Sequence, residues 1–221
     1  MKRMVCVLLV SLLVFTSCKK SSNPISSGDE TATVTYAGKV YHTVKIGNQT
    51  WLKENLDVGV MIDSLQNPSN NGTIEKYCYN NDTANCSKYG GLYQWDEAMA
   101  YDTIEGTKGI CPTGWHIPSL AEFLTLATEV GNDGNKLKRE GQGSGSGVGT
   151  NISGFSALLA AGRDGNGTFY GLGNDTKFWS STEDYATAPS AYYMLLWTND
   201  SGIYMINLYK YYGFSIRCLK D

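Results

Sequence analysis

The side chains with the most chemistry to offer are four cysteines, Cys78, Cys86, Cys111 and Cys218. Thiolates at short C-x-x-C spacing would hold zinc, but no such spacing occurs, so the cysteines point to two disulfides instead. Four cysteines allow three pairings. Cys78 and Cys86 bracket the polar stretch Tyr79-Asn-Asn-Asp-Thr-Ala-Asn85 and form the natural local pair. Cys111 and Cys218 would then close a loop of roughly 100 residues, worth about 4–5 kcal/mol in the chain-entropy account.

Catalytic groups are sparse. The chain has two histidines: His42 lies in an extended run, and His116 abuts Trp115 in a motif that reads as packed. Neither suggests a Ser-His-Asp or Cys-His site. Asp96-Glu97 and Glu183-Asp184 are adjacent carboxylates, which diverge on a helix or strand and so do not form an acid/base pair. HExxH is absent. The run from Gly141 to Gly149 contains neither GxGxxG nor GxxxxGK, and it reads as a mobile surface loop rather than a phosphate cradle. No catalytic residue is assigned, and the expectation is a protein that is not an enzyme.

Binding is better supplied. Sugars and peptides dock on aromatic faces with polar neighbours. Trp179 with Glu183, and Tyr170 in a glycine-rich stretch, are the leading aromatic candidates. Oxygen-rich turns at Arg163-Asp164-Gly-Asn166 and Trp197-Thr-Asn199-Asp200 complete the candidate set, namely Arg163, Asp164, Trp197, Asn199 and Asp200. Both turns have a simpler reading as hairpin chemistry. No metal ligand is assigned, and calcium is the one cofactor these oxygens leave open.

The N-terminus carries Lys2 and Arg3, an apolar run from Val5 to Phe15 too short to span a bilayer, and then Phe15-Thr-Ser-Cys18. It resembles a bacterial lipoprotein signal. That resemblance implies a signal peptide over 1–17, a diacylglycerol thioether on Cys18, and anchorage in the cell envelope. The anchor would sit in the outer membrane, on its periplasmic face or at the cell surface. Cys6 would leave with the signal. Cleavage removes Lys2 and Arg3 from 18 Lys+Arg against 21 Asp+Glu and takes the net charge from −3 to −5. An acidic domain of this kind does not suit nucleic acid, which needs basic patches.

These residues must be positioned by a small number of elements. The polar stretch 18–35 reads as a flexible tether, followed by one domain over 36–221. Val34-Thr-Tyr36, Val40–Ile46 and Gln49–Leu52 read as strands separated by turns. Leu92–Tyr101 reads as a helix. A second helix begins at Ser119 with a Ser119/Glu122 capping box and ends at Gly131. Ala191–Thr198 and Ile203–Tyr209 flank a hairpin turn, and Phe214–Leu219 alternates as a strand. The class is α+β, with two short helices and a curled antiparallel sheet.

Five separated segments then carry a resemblance. They are Ile46-Gly-Asn-Gln-Thr-Trp-Leu-Lys-Glu-Asn-Leu56, Tyr89-Gly-Gly-Leu-Tyr-Gln-Trp-Asp-Glu-Ala98, Cys111-Pro-Thr-Gly-Trp-His-Ile-Pro-Ser119, Phe178-Trp-Ser-Ser-Thr182 and Gly213-Phe-Ser-Ile-Arg-Cys218. In this order they resemble the Fibrobacter succinogenes major paralogous domain, found in surface and secreted proteins of Bacteroidota and Fibrobacterota. A more remote similarity, to C-type lectin-like domains and their sulfatase-modifying branch, implies that fold. It also implies that the cysteine after the first helix bonds the cysteine of the last strand, here Cys111 with Cys218. The function expected is a lipid-anchored lectin-like binding or adhesion domain that recognises glycan or protein. The alternatives are a structural envelope component without a small ligand and a glycan-active enzyme.

Overall fold

A computed structural model describes residues 32–187 and 189–221. The signal, Cys18 and most of the tether lie outside the described residues. Thr31–Asp221 forms a compact unit by itself.

The chain starts with a three-stranded meander, β1 (Thr33–Tyr36), β2 (Lys39–Ile46) and β3 (Gln49–Leu52). The first turn is tight because Ala37 and Gly38 both take positive φ, at 49° and 77°, as a twist-matched two-residue hairpin requires. Two short parallel strands follow, β4 (Val60–Met61) and β5 (Glu75–Lys76). Next come helices α1 (Thr83–Tyr89) and α2 (Trp95–Ala98), strand β6 (Trp115–His116) and helix α3 (Leu120–Glu129). The second half is β7 (Ala160–Arg163), β8 (Phe169–Leu172), β9 (Asp175–Asp184), β10 (Ser190–Trp197), β11 (Tyr204–Tyr209) and β12 (Leu219–Lys220).

Two five-stranded sheets result, ordered β1-β2-β3-β12-β6 and β11-β10-β9-β7-β8. The last strand thus returns to pair with β3 through Leu219 and Trp51, and with β6 through Leu219 and His116. The architecture is α+β with few helices and curled sheets. Two buried clusters hold it. One gathers Trp95, Trp115, Trp179 and Phe214, and the other gathers Trp51, Phe123, Phe155 and Phe178. Trp51 stacks on Phe123 at 5.5 Å and meets Phe155 edge-on.

Helix α3 is the element most directly written in the sequence. Ser119 N–H donates to Glu122 Oε2 at 2.8 Å, while Glu122 N–H donates back to Ser119 Oγ at 3.3 Å. Its inner face is Phe123, Leu126 and Ala127, whereas Leu124 points outward.

The helix expected over Leu92–Tyr101 shrinks to four residues. Tyr93 is taken into a bridge with Phe214, and Ala100 and Tyr101 adopt positive φ that ends the turn. An additional helix, α1, occupies the stretch read as a polar loop, with Asp82 accepting from Ala84 N–H at its start.

Two further expectations change. Gly213–Leu219 alternates, but neither face is solvated: Ser215 and Arg217 are as buried as Phe214 and Ile216. The Gly141–Gly149 run is docked rather than free. Ser144 N–H donates to Thr198 O at 2.6 Å, and a Cβ on Gly147 would lie 2.3 Å from Thr198 O.

Both disulfides form, Cys78–Cys86 and Cys111–Cys218.

Candidate functional site

A cleft of about 450 Å³ opens beside the β2–β3 hairpin. Its walls come from the start of β2, the segment that leaves β3, the C-terminal end of α1 and the loops at Arg139 and 151–158. Arg217 lines it from within the protein.

Polar contacts set the geometry. Asn55 Nδ2 donates to Tyr89 O at 2.8 Å and so fixes the end of α1 against the segment that follows β3. Gly90 caps that helix at φ 86° and ψ 172°, a region that is essentially glycine-only. A Cβ there would lie 2.5 Å from Asn55 Cβ. The Cys78–Cys86 disulfide ties α1 to the preceding chain. The Asp57 carboxylate, itself buried, lies between the ammonium groups of Lys39 and Lys76. Burial lowers the pKa of both lysines, and Lys76 lowers that of Lys39 further. Tyr41 Oη accepts from Asp57 N–H at 3.2 Å, and burial raises its hydroxyl pKa to about 12.

Arg217 is 1% exposed. Its Nε and Nη2 donate to Asn55 Oδ1 at 3.1 and 2.6 Å, and its Nη1 donates to Leu52 O and Phe155 O at 3.1 and 2.6 Å. The guanidinium lies over the rings of Phe155 and Phe178. Burial pulls its pKa down to about 9, which leaves it charged at neutral pH. Neutral oxygens, not carboxylates, hold this cation among the described residues.

The remaining cations of the cleft are Lys53, Lys88 and Arg139. None forms an ion pair within 4.0 Å among the described residues. Lys88 Nζ sits 4.8 Å over the Tyr89 ring. Glu54, the second carboxylate of the cleft, accepts from His42 N–H and pairs with its Nδ1, both at 2.8 Å. The cleft can therefore offer positive charge to a ligand, because Asp57 is paired with Lys39 and Lys76 and only Glu54 remains against four further cations.

None of the binding residues read from the sequence lines this cleft. Trp179 has no exposed surface. Its Nε1 donates to Tyr93 O at 3.0 Å, and its ring packs 4.4 Å from Phe214. Its aromatic face belongs to the core, which corrects its place as the leading candidate. Arg163 is buried too: its Nε donates to Ser64 O at 2.9 Å and its guanidinium covers Tyr77 at 4.3 Å. Asp164 closes a turn by accepting from Asn166 and Thr168 N–H at 2.9 and 2.8 Å. Asp200 does the same for Gly202 N–H at 2.7 Å and takes the Tyr204 hydroxyl at 3.0 Å. Asn199 is exposed, and its carbonyl accepts from Ser146 Oγ at 2.9 Å. Glu183 pairs with Lys210.

Tyr170 and Trp197 do approach a common group. Lys177, buried beside Asp175, lies 4.7 Å from the Tyr170 ring and 6.0 Å from the Trp197 ring. Desolvation lowers the Lys177 pKa and raises that of Asp175.

The cleft residues were on the page as sequence. Lys53-Glu-Asn55 follows a strand directly, and Arg217 is a lone cation inside an apolar alternation. That alternation was the available signal, since a charge amid core residues needs a polar partner.

Residues 44–220 match the family model for the Fibrobacter succinogenes major domain. No curated protein and no solved structure matches the chain.

Proposed function

The chain belongs to the Fibrobacter succinogenes major domain family, and on that premise we propose that it is a binding domain of the cell envelope that takes a sugar ligand in the cleft beside β2 and β3. The carrying observation is the preformed cleft itself, whose walls are fixed by the Asn55–Tyr89 hydrogen bond, the Asp57 ion pairs and a disulfide. Its volume, about 450 Å³, falls in the range of small-ligand sites. Its charged and hydrogen-bonding side chains, Lys53, Ser87, Lys88, Arg139, Asn151 and Ser156, suit a hydroxylated ligand better than an apolar one.

Two proposals go with this one. The first is a C-type lectin-like fold. It is supported by the Cys111–Cys218 bridge, which joins the segment after α2 to the chain just before β12. The second is lipidation at Cys18, supported by the signal-like N-terminus. No helix among the described residues is long and apolar enough to cross a membrane, so in this proposal the acyl chains provide the anchorage.

Glycan-array binding by the full chain tests the site. Ser87 is exposed on α1 and lines the cleft, so Ser87→Trp should obstruct ligand entry without entering the core. Binding that survives this substitution, in a protein with native thermal stability, would remove the cleft from the proposal. Mass spectrometry of the envelope-extracted chain should find fatty acyl groups on Cys18. Protease treatment of intact cells distinguishes surface from periplasmic display.

A further inference from the structure

The geometry points to an acidic sugar as the ligand class: the cleft binds a glycan unit bearing a carboxylate or sulfate, held by Lys53, Lys88 and Arg139 above the buried Arg217. This rests on the cleft being the binding site proposed above.

The first argument is the distribution of charge. The whole chain carries a formal net charge of −3, yet the cleft gathers five cations against two carboxylates. Asp57 is engaged by Lys39 and Lys76, and Glu54 accepts from His42, which leaves Lys53, Lys88, Arg139 and Arg217 against the one carboxylate charge of Glu54. Lys53, Lys88 and Arg139 line the cleft, and none of them forms an ion pair within 4.0 Å among the described residues. Such a group of like charges repels itself, and an arriving anion relieves the repulsion.

The second argument is Arg217. A buried guanidinium held by an amide oxygen and two carbonyls has only part-charges in direct contact, and among the described residues no carboxylate lies within 4.0 Å of it, Glu54 acting on it only through space. Those bonds take four of its five N–H groups. A ligand anion in the cleft would supply a closer counter-charge at low effective dielectric, where the attraction is least screened. The walls also carry Asn151, Ser156 and Ser87 among the cations, beside apolar Val40 and Leu158. Sugar hydroxyls can both donate to and accept from such groups. An acidic peptide would bring the same charge with fewer hydroxyls for Asn151, Ser156 and Ser87 to meet.

The test is calorimetric titration of the full chain with four probes: tri-galacturonate, a sulfated galactose oligomer, neutral galactotriose and hexaglutamate. Tri-galacturonate or the sulfated oligomer should bind, with affinity falling as salt rises from 20 to 200 mM, and the neutral sugar should not. Lys53→Gln with Arg139→Gln should weaken binding at least about tenfold per charge, in line with the net strength of hydrogen bonds to charged groups, at an unchanged melting temperature. Which acidic sugar binds identifies the anion, and either supports the inference. Three outcomes overturn it: neutral galactotriose binding as well as the acidic sugars, the folded double variant binding within twofold of the parent, or hexaglutamate binding where the sugars do not. If no sugar binds, charged or neutral, the sugar-binding function falls along with it.

Discussion

Arg217 donates twice to the side-chain oxygen of Asn55, at 3.1 and 2.6 Å, across 162 residues of chain. Asn55 in turn donates to Tyr89 O and to Ser215 Oγ. Three of the five segments that carry the family resemblance therefore meet at one amide: the segment after β3, the end of α1 and the strand-like run before β12.

Removing the guanidinium should be costly. Arg217→Met keeps the volume but leaves Asn55 Oδ1, Leu52 O and Phe155 O without a donor in a buried site. Orphaned buried acceptors cost about 1–3 kcal/mol each, and breaking a buried charged network typically costs about 3–5 kcal/mol in all. Urea denaturation should show a loss in that range. Pairing the change with Asn55→Leu should cost clearly less than the sum of the two single changes, because both remove the same interaction. Strict additivity would show that the two residues act independently.

The two disulfides should differ in value. Cys111 and Cys218 are 107 residues apart, and Cys78 and Cys86 only 8. In the chain-entropy account the longer loop is worth about 2 kcal/mol more, since the stabilisation grows with the logarithm of loop length. Replacing Cys111 and Cys218 by Ser should lower the midpoint of chemical unfolding more than the same replacement at Cys78 and Cys86. Equal losses would mean that the short bridge also supports native packing around α1.

Stability should vary with pH through His116. Its Nε2 lies 3.0 Å from Glu122 Oε1 and its Nδ1 lies 2.7 Å from Asp221 Oδ1. The hydrogen bond to Glu122 raises the His116 pKa from its ordinary 6.5 despite burial, and Asp221 adds to the effect. Burial pushes the Glu122 carboxyl up, but the hydrogen bonds from His116 and Ser119 outweigh it and leave its pKa below the ordinary 4.5. A raised histidine stabilises fully below its unfolded pKa and loses that contribution as pH rises through the folded value. A lowered carboxyl stabilises above its unfolded pKa and loses that contribution as pH falls through the folded value. The contribution of this trio therefore peaks between roughly pH 4.5 and 6.5. The melting-temperature gap between the parent and His116→Gln should be widest near pH 5.5 and narrow as pH rises past 6.5 and through the raised folded pKa. A gap that does not change across that range would show that His116 stays uncharged.

Much of this was legible in advance, and the boundary is physical. The β1–β3 meander, α3 with its capping box and the β10–β11 hairpin rest on local rules of turn chemistry, capping and period, and they appear where those rules place them. The cysteine pairing was legible because one pair was local. The aromatic site was not. Trp179 beside polar Ser180-Ser181-Thr182 looked surface-facing, but Ser180 and Ser181 are themselves buried, with Ser180 Oγ bonded to Tyr192 O and Ser181 Oγ to Gly106 N–H. Polar neighbours signal solvent only when they are not satisfied inside the fold. The cleft was hidden for a related reason. Its charges come from five stretches of chain, around Lys39, Lys53, Lys88, Arg139 and Arg217, and no local pattern shows that they converge.

Gly90 tests whether the cleft is as rigid as its hydrogen bonds imply. At φ 86° and ψ 172° it holds a backbone conformation that side chains rarely adopt. An added methyl would also press on Asn55, at 2.5 Å from its Cβ. The conformational strain alone is about 1–3 kcal/mol. Gly90→Ala should therefore destabilise by at least that much, with the displacement falling on Asn55 and through it on Tyr89 and Arg217. Amide exchange should quicken around the end of α1 and along 52–57, while α3, on the other cluster, keeps its protection. Uniform loss of protection would mean that the two cores unfold together. An unchanged pattern would mean that the backbone at residue 90 can relax away from Asn55, so that the cleft wall can yield.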